Sequence, residues 1–251
     1  MRKIKKQTKK RMILCGGTAV VLVLLWFAVN GIISLVSDKT DTSKGLEYIE
    51  KAEEADITAI EKKITQLERQ EKSEDDTRSI KEKFTGAVVV GDSIAEGFEG
   101  YGVLNPSNVV AKIGAHLSEI EDEIDQIKDL SPKIIFLSVG TNDVNITNGD
   151  TDEFIRRYKK LLENIKDEIP DAHIYVNSMF PVQQKAVAED PALAKIGEYN
   201  VVLEELCETM RVGYIDNSSI VEEQYYEQDG IHFKGAFYTI WAEHMAKVAV
   251  L

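Results

Sequence analysis

The sequence predicts an α/β fold, a three-layer α/β/α sandwich with a five-stranded parallel sheet, in the carboxyl-terminal two thirds of the chain. Three observations predict it. Short apolar runs rich in β-branched residues recur, stretches with helical periodicity separate them, and Gly-rich polar segments follow several of the runs. Strand, helix and strand at this spacing are typical of a parallel crossover unit.

The first predicted strand is the run Ala87 to Val90, which ends abruptly in Gly91-Asp92-Ser93. Ser93 is therefore expected at the sheet edge outside the carboxyl ends of the strands, where open α/β sheets bind ligands. Residues 94–98 continue as a short helix, which puts Ser93 at a positive helix end. Ordinary turn chemistry is the alternative, because Ser is also a common helix N-cap.

The second and third strands are predicted over residues 108–113 and 133–139, with a helix over 117–130 between them. Gly114 ends the second strand, where a glycine lets the backbone approach a ligand, although a simple turn explains it equally well. Gly140-Thr141-Asn142-Asp143 follows the third strand, at the same edge as Ser93. Asn142 suits a turn cap as well as a ligand contact.

The remaining elements alternate in the same way. Helices are predicted over residues 152–169, 191–211 and 235–250, and strands over 173–177 and 212–215. Phe180-Pro181-Val182 follows the fourth strand and is a candidate lining of the substrate site. Asp229-Gly230-Ile231-His232 precedes the last helix, and two side chains three residues apart in a tight loop can reach each other or a shared partner.

Four short blocks occur in a fixed order and carry a family resemblance. They are Gly91-Asp92-Ser93 with Gly97, then Gly114, then Gly140-x-Asn142-Asp143, then Asp229-x-x-His232. With these blocks the chain resembles the SGNH hydrolases, also called the GDSL esterase and lipase family, from Phe84 to Leu251. The resemblance implies a flavodoxin-like sheet. The chain departs from the family pattern at two positions. Ile94 stands where the Gly-Asp-Ser-Leu block that names the family has Leu, and Phe233 follows His232.

The resemblance also implies roles for individual residues. Ser93 is the implied nucleophile, His232 the base that takes and returns its proton, and Asp229 the group that orients the imidazole. A serine hydroxyl needs such a base before it attacks a carbonyl. The oxyanion hole is implied to consist of the Ser93 amide, Gly114 and Asn142.

The charge composition of the chain restricts the classes of partner that it can bind. The net charge is −13, and seven of the 30 basic side chains lie in residues 1–11, which leaves 23 basic against 43 acidic side chains in the remainder. This acidic remainder excludes most nucleic-acid binding, because phosphate contacts need a cationic surface. No cofactor is expected, since no His and Cys cluster has the spacing of metal ligands.

The amino terminus predicts a membrane anchor. Residues 12–36 contain no charged side chain and are long enough to span a bilayer, and the basic residues 1–11 precede them directly. The positive-inside rule then leaves residues 1–11 in the cytoplasm, as the tail of a single-pass cell-membrane protein whose large domain is extracytoplasmic. A signal peptide is the alternative, although its apolar region is normally shorter.

Residues 37–83 are polar, and Ile57, Ile60, Ile64 and Leu67 form one helical stripe. We interpret this segment as a helical stalk or linker, and self-association through it is a further hypothesis that leaves the oligomeric state open. Residues 84–251 would form the catalytic domain.

The sequence therefore predicts a membrane-anchored, extracytoplasmic serine esterase. Its substrate would be an ester, such as acetyl or other short acyl groups on cell-envelope glycans. Two alternatives remain open at this point: acyl transfer to a glycan hydroxyl, and a noncatalytic binding domain on a stalk.

Overall fold

The computed structural model describes residues 76–251. The predicted basic tail, the predicted anchor at residues 12–36 and most of the predicted stalk lie outside the described residues. Within residues 76–251, no helix has both the length and the apolar character needed to cross a bilayer.

Within residues 76–251, a parallel sheet of five strands organises the fold, with the spatial order β2-β1-β3-β4-β5. This confirms the predicted α/β fold and its five-stranded parallel sheet. The strands are β1 Ala87–Gly91, β2 Val109–Ala111, β3 Ile134–Ser138, β4 His173–Asn177 and β5 Gly213–Ile215. Gly91 pairs with both Ala111 and Ser138, so the three neighbouring strands end level with one another.

Helices connect the strands. They are α1 Ile80–Lys83, α2 Ser93–Gly100, α3 Leu117–Asp122, α4 Ile124–Asp129, α5 Asp143–Thr147, α6 Thr151–Glu168, α7 Gln184–Glu189, α8 Ile196–Met210 and α9 Gly235–Ala249. The apolar residues of α3, α4, α6 and α8 pack in one buried cluster, and those of α2 and α9 pack in another. The described part of the chain is therefore a three-layer α/β/α sandwich.

The sheet is buried on both faces because its strands carry apolar residues on both sides. In β1, Val88 and Val90 belong to the first cluster, whereas Val89 belongs to the second. In β3, Leu137 belongs to the first cluster and Phe136 to the second. Alternate side chains of a strand point to opposite faces, which is why the sequence shows unbroken apolar runs where each face is covered by helices.

The second cluster is largely aromatic. Phe180, predicted to line the substrate site, is only 3% exposed and packs with ring centroids 4.9 Å from both Trp241 and Phe233. Burial among other rings explains this position, since an apolar ring gains more from it than from a place at the edge of the sheet. The substrate contact of Phe180 stays a prediction.

Three predicted elements differ in detail. The helix predicted over residues 117–130 is divided at Glu123 into α3 and α4, and the one predicted over 191–211 begins with a 3₁₀ turn, Pro191–Lys195. Strand β2 begins only at Val109, because Pro106–Asn108 forms a 3₁₀ turn. The Asn108 side chain donates to the carbonyls of Phe84 and Ala87, and this holds the turn beside β1.

Candidate active site

The turn after β1 fixes Ser93 at the start of a helix. Asp92 is 3% exposed, and its Oδ1 accepts the Ile94 N–H at 3.0 Å, so it caps α2. Gly91 packs so closely on β3 that a Cβ there would overlap the Ser138 carbonyl. A glycine before the cap is therefore needed for this turn to fit between the two strands.

The loop before α9 places the imidazole. Gly230 adopts a left-handed conformation with φ +77°, and the N–H of Glu227 donates to the His232 carbonyl at 2.8 Å. The next residue, Phe233, is buried and stacks on Phe237 with a centroid distance of 4.0 Å. The loop is thus closed by its own hydrogen bonds and anchored by an apolar side chain.

Ser93, His232 and Asp229 lie in series at the carboxyl edge of the sheet. Ser93 Oγ is 2.9 Å from His232 Nε2, and His232 Nδ1 is 2.6 Å from Asp229 Oδ2. With a proton on Nδ1, the neutral imidazole donates to the carboxylate and accepts from the hydroxyl. The structure therefore brings together the three side chains singled out in the sequence.

The carboxylate of Asp229 remains charged in this arrangement. Its partial burial acts to raise its pKa, but hydrogen bonds from the Ile231 N–H, the His232 imidazole and the His232 N–H outweigh burial, so the pKa lies below its usual range. A charged acceptor behind an imidazole is the arrangement that stabilises an imidazolium, so the geometry is suited to a histidine that takes up a proton.

Gly114 and Asn142 occupy two neighbouring segments of the same edge. Gly114 is left-handed with φ +69°, and a Cβ at this position would meet nothing within 4 Å. Asn142 Nδ2 donates to the Ala115 carbonyl at 3.0 Å, which ties the segment after β3 to the one that contains Gly114. The Nδ2 group has a second hydrogen available for a ligand. The Ser93 hydroxyl itself bonds to His232 and not to Asn142.

Asp143 has a structural role beside Asn142. Its side chain is buried, and Oδ2 accepts the Leu117 N–H at 3.1 Å, at the start of α3. Burial raises its pKa, and burial likewise raises the pKa of Asp92 to about 6. Two buried carboxyl groups thus hold the backbone turns on which the site is built.

An open cleft of about 490 Å³ lies beside Ser93 and His232. We call it the acidic cleft, and it is lined by Ser93, Glu96, Gly97, Glu99, Gly100, Tyr101, Glu227, His232, Phe233 and Tyr238. Sequence reasoning missed the carboxylates and tyrosines of this set. The available signal was weak: Glu96 and Glu99 are three residues apart on the helix that begins at Ser93, which places them near one face.

Several side chains together would be needed to bind a metal ion in the described part of the chain. Within residues 76–251, no three His, Cys, Asp or Glu side chains are grouped in a way that could hold a metal ion. Of the other histidines, His173 begins β4, and His244 Nε2 bonds the carbonyl of Asp216.

A parallel α/β/α sandwich with a serine, a histidine and an aspartate in series at the carboxyl edge of its sheet belongs to the class of serine hydrolase folds. Residues 89–240 match the model of a family described as GDSL-like lipase/acylhydrolase. This match spans more than half of the chain, and the chain belongs to that family. The family predicted from the four sequence blocks is therefore confirmed.

Individual relatives agree with this assignment. A multidomain esterase of Ruminococcus flavefaciens is 27% identical over 153 residues, which cover 59% of this chain and 20% of the relative. The chain thus spans about a fifth of the length of the curated relative it matches.

Two solved structures share the fold. A carbohydrate esterase family 3 structure from Talaromyces cellulolyticus has a TM-score of 0.51 at 19% identity, with 65% of this chain and 95% of that chain covered. A catalytic mutant of an acetylxylan esterase from Geobacillus stearothermophilus has a TM-score of 0.50 at 14% identity, with coverages of 66% and 94%. Family membership supports the prediction of a serine esterase, and the two solved structures show the shared fold.

Proposed function

We propose that the chain is a serine esterase in which Ser93, His232 and Asp229 form the catalytic triad. One observation carries the proposal: the hydroxyl, imidazole and carboxylate are joined by contacts of 2.9 and 2.6 Å, in the order that nucleophilic catalysis requires. Family membership supports the same chemistry.

The first half of the reaction forms an acyl-enzyme. Ser93 Oγ bonds to the ester carbonyl carbon while His232 Nε2 takes the hydroxyl proton, and Asp229 stabilises the imidazolium. The carbonyl oxygen becomes an oxyanion that accepts from the N–H groups of Ser93 and Gly114 and from Asn142 Nδ2. Each such donor contributes about 2.7 to 4 kcal/mol in the transition state. The carbon–oxygen bond to the alcohol then breaks, and His232 gives its proton to the departing oxygen.

The second half of the reaction regenerates the free enzyme. Water takes the place of the alcohol, His232 removes one of its protons, and the hydroxide adds to the acyl carbon. Collapse of the second tetrahedral intermediate releases the carboxylic acid, and the imidazolium returns the proton to Ser93 Oγ. Asp229 keeps its negative charge throughout.

The proposed substrates are acetyl or other short acyl esters on cell-envelope glycans. The solved relatives described as a carbohydrate esterase and an acetylxylan esterase support a glycan ester at the level of the shared fold. The proposed extracytoplasmic location also supports a cell-envelope glycan as the substrate. In this proposal residues 12–36 anchor the chain in the cell membrane, residues 37–83 form the stalk, and residues 84–251 lie outside the cytoplasm, since seven basic side chains precede an uncharged apolar segment.

The test uses the full chain purified from membranes in detergent. We expect release of p-nitrophenol from p-nitrophenyl acetate, and covalent labelling of Ser93 by an organophosphonate, with the modified peptide identified by mass spectrometry. Labelling should stop both hydrolysis and further labelling. Hydrolysis that continues after complete modification of Ser93, or labelling at another serine, would contradict the proposal.

The proposed location has its own test. A protease-cleavable tag after Leu251 should be removed from the outside of intact cells, whereas a tag before Met1 should be protected until the membrane is opened. Release of the whole chain from membranes by salt or carbonate would contradict the anchor.

A further inference from the structure

The acidic cleft lies on the imidazole side of the nucleophile. Ser93 and His232 line it, but neither Gly114 nor Asn142 does. In ester cleavage the carbonyl oxygen must face the oxyanion donors, whereas the departing oxygen must lie within reach of the imidazole that protonates it. The alcohol part of the ester therefore points toward the acidic cleft, away from the segments of Gly114 and Asn142.

The charge of the cleft comes from both of its walls. Glu96 and Glu99 belong to α2, and Glu227 belongs to the loop that carries His232, while no Lys or Arg is among the lining residues. The nearby lysines bond main-chain oxygens: Lys185 Nζ lies 3.5 Å from the Glu227 carbonyl, and Lys234 Nζ 2.9 Å from the Gln224 carbonyl. Three carboxylates around one open cleft attract a cation and repel an anion.

Tyr101 gives the same cleft an aromatic face. Its side chain is 51% exposed, and its ring is braced by Tyr238 at a centroid distance of 5.2 Å. Its hydroxyl donates to Glu227 Oε1 at 3.5 Å, which connects the two walls. An exposed ring packs against the C–H face of a flat polar molecule, and carboxylates accept from its hydroxyl or ammonium groups.

We propose that the acidic cleft binds the alcohol part of the ester, that this alcohol is a polyhydroxylated ring without negative charge, and that a ring with an ammonium group is preferred over a neutral one. The inference rests on the proposed function, since it needs Ser93 and His232 to act as nucleophile and base. It adds the class of alcohol and the residues that select it: Glu96, Glu99, Tyr101 and Glu227.

The first experiment compares three methyl 6-O-acetyl pyranosides that differ only at carbon 2, where they carry an ammonium, a hydroxyl or an N-sulfate. The full chain is assayed in detergent at low salt and slightly below neutral pH, and kcat/KM is measured by acetate release. We expect the ammonium sugar to exceed the neutral sugar, and the neutral sugar to exceed the sulfated one, by about tenfold at each step. Equal values, or preference for the sulfated sugar, would overturn the inference.

The second experiment tests the residues. In the double variant Glu99→Gln and Glu227→Gln, the ratio of kcat/KM for the ammonium sugar to that for the neutral sugar should fall toward one. The matched control is Glu205→Gln, because Glu205 is an exposed carboxylate on α8, which packs on the opposite face of the sheet. The control should keep the wild-type ratio. A double variant that folds, as judged by its thermal unfolding, and keeps the ratio would overturn the role of these carboxylates.

Tyr101→Ala tests the aromatic face. It should lower kcat/KM for the ammonium and neutral sugars by the same factor, because a ring face recognises the carbohydrate and not its charge. An unchanged kcat/KM for both sugars would overturn the role of Tyr101.

The failure of the inference differs from the failure of the proposed function. If p-nitrophenyl acetate is hydrolysed through Ser93 but the three sugars are not distinguished, the esterase stands and the inference about the alcohol falls. If no ester is hydrolysed and Ser93 is not labelled, both fall together.

Discussion

The carboxylate of Asp229 contacts both the main chain and the imidazole ring of His232. Asp229 Oδ1 accepts the His232 N–H at 3.0 Å, while Oδ2 lies 2.6 Å from His232 Nδ1. The backbone contact fixes where the histidine stands, and the ring contact fixes how the imidazole is turned. The Nε2 atom is therefore aimed at Ser93 by a group only three residues away in the chain, although Ser93 is 139 positions distant.

Ser93 and His232, the proposed nucleophile and base, should act as one unit. Ser93→Ala and His232→Ala should each lower kcat for p-nitrophenyl acetate by about 10⁴-fold or more, and the double variant should be little worse than either single one. Each change leaves the remaining member without a partner in proton transfer. Initial rates with the full chain measure the effect, and Ser107→Ala, at an exposed serine, is the matched control. Additive losses would show that the two residues act independently.

Asp229→Asn separates charge from position. The amide oxygen can still accept the N–H groups of Ile231 and His232, but it no longer provides the negative charge behind the imidazole. We expect kcat to fall about 100-fold or more, with a smaller change in KM, because the charge matters most when the imidazolium forms. A variant with wild-type kcat would contradict the proposed role of the Asp229 charge.

Asn142→Ala tests the side-chain donor of the proposed oxyanion hole. Removal of one such donor typically lowers kcat about 10²-fold to 10³-fold with little effect on KM. Asn145→Ala is the control, because Asn145 is an exposed amide three residues further along the same segment. A rise in KM without loss of kcat would show that Asn142 binds the ground state instead of the oxyanion.

The helices and strands of this fold could be predicted where a local sequence pattern indicates them. The β-branched runs of β1 and β3 and the Gly-containing turns after them indicate both the sheet and the edge where Ser93 lies. The start of β2 could not be predicted, because it depends on the Asn108 side chain reaching the carbonyls of Phe84 and Ala87. Such a contact between distant segments leaves no periodic signal.

The same reason separates the predicted from the missed residues of the site. His232 and Asp229 stand three residues apart in a Gly-containing loop, which is a local pattern. The acidic cleft joins Tyr101 to Glu227 across 126 positions, and nothing in either neighbourhood indicates the other. Phe180 follows a strand at the correct edge, yet the ring turns inward because other rings are there to cover it.

Asp92 should make stability depend on pH in a definite direction. Burial raises its pKa from 3.8 to about 6 in the folded state, so the folded chain holds a proton that the unfolded chain has lost. The contribution of Asp92 to the free energy of unfolding is therefore most favourable below pH 3.8 and falls by about 3 kcal/mol as pH rises through 6.

Asp92→Asn removes that dependence, since the amide oxygen still accepts the Ile94 N–H and no charge is buried. The free energy of unfolding of the variant minus that of the wild type should rise between pH 4 and pH 7, by denaturant titration at each pH. Asp171→Asn, at an exposed loop position, should give a flat difference. A flat difference for Asp92→Asn as well would contradict the buried titration.

Gly97 lies where α2 meets the ring of Tyr238. A Cβ at Gly97 would overlap that ring, which packs with centroid distances of 5.2 Å to both Phe98 and Tyr101 and therefore has no room to retreat. We expect Gly97→Ala to lower the free energy of unfolding by about 1 to 3 kcal/mol, as overpacking does, although alanine is otherwise the better helix former. Denaturant unfolding measures the change.

Gly100→Ala is the matched control on the same helix, because a Cβ there meets nothing within 4 Å. It should be neutral or stabilising by up to about 1 kcal/mol, so of the two changes only Gly97→Ala should lower the free energy of unfolding. Tyr238→Ala should then remove the penalty of Gly97→Ala in a double-mutant cycle, because the ring that meets the new methyl group is gone. A penalty that persists without the ring would place the cause in the backbone of α2 and not in its contact with Tyr238.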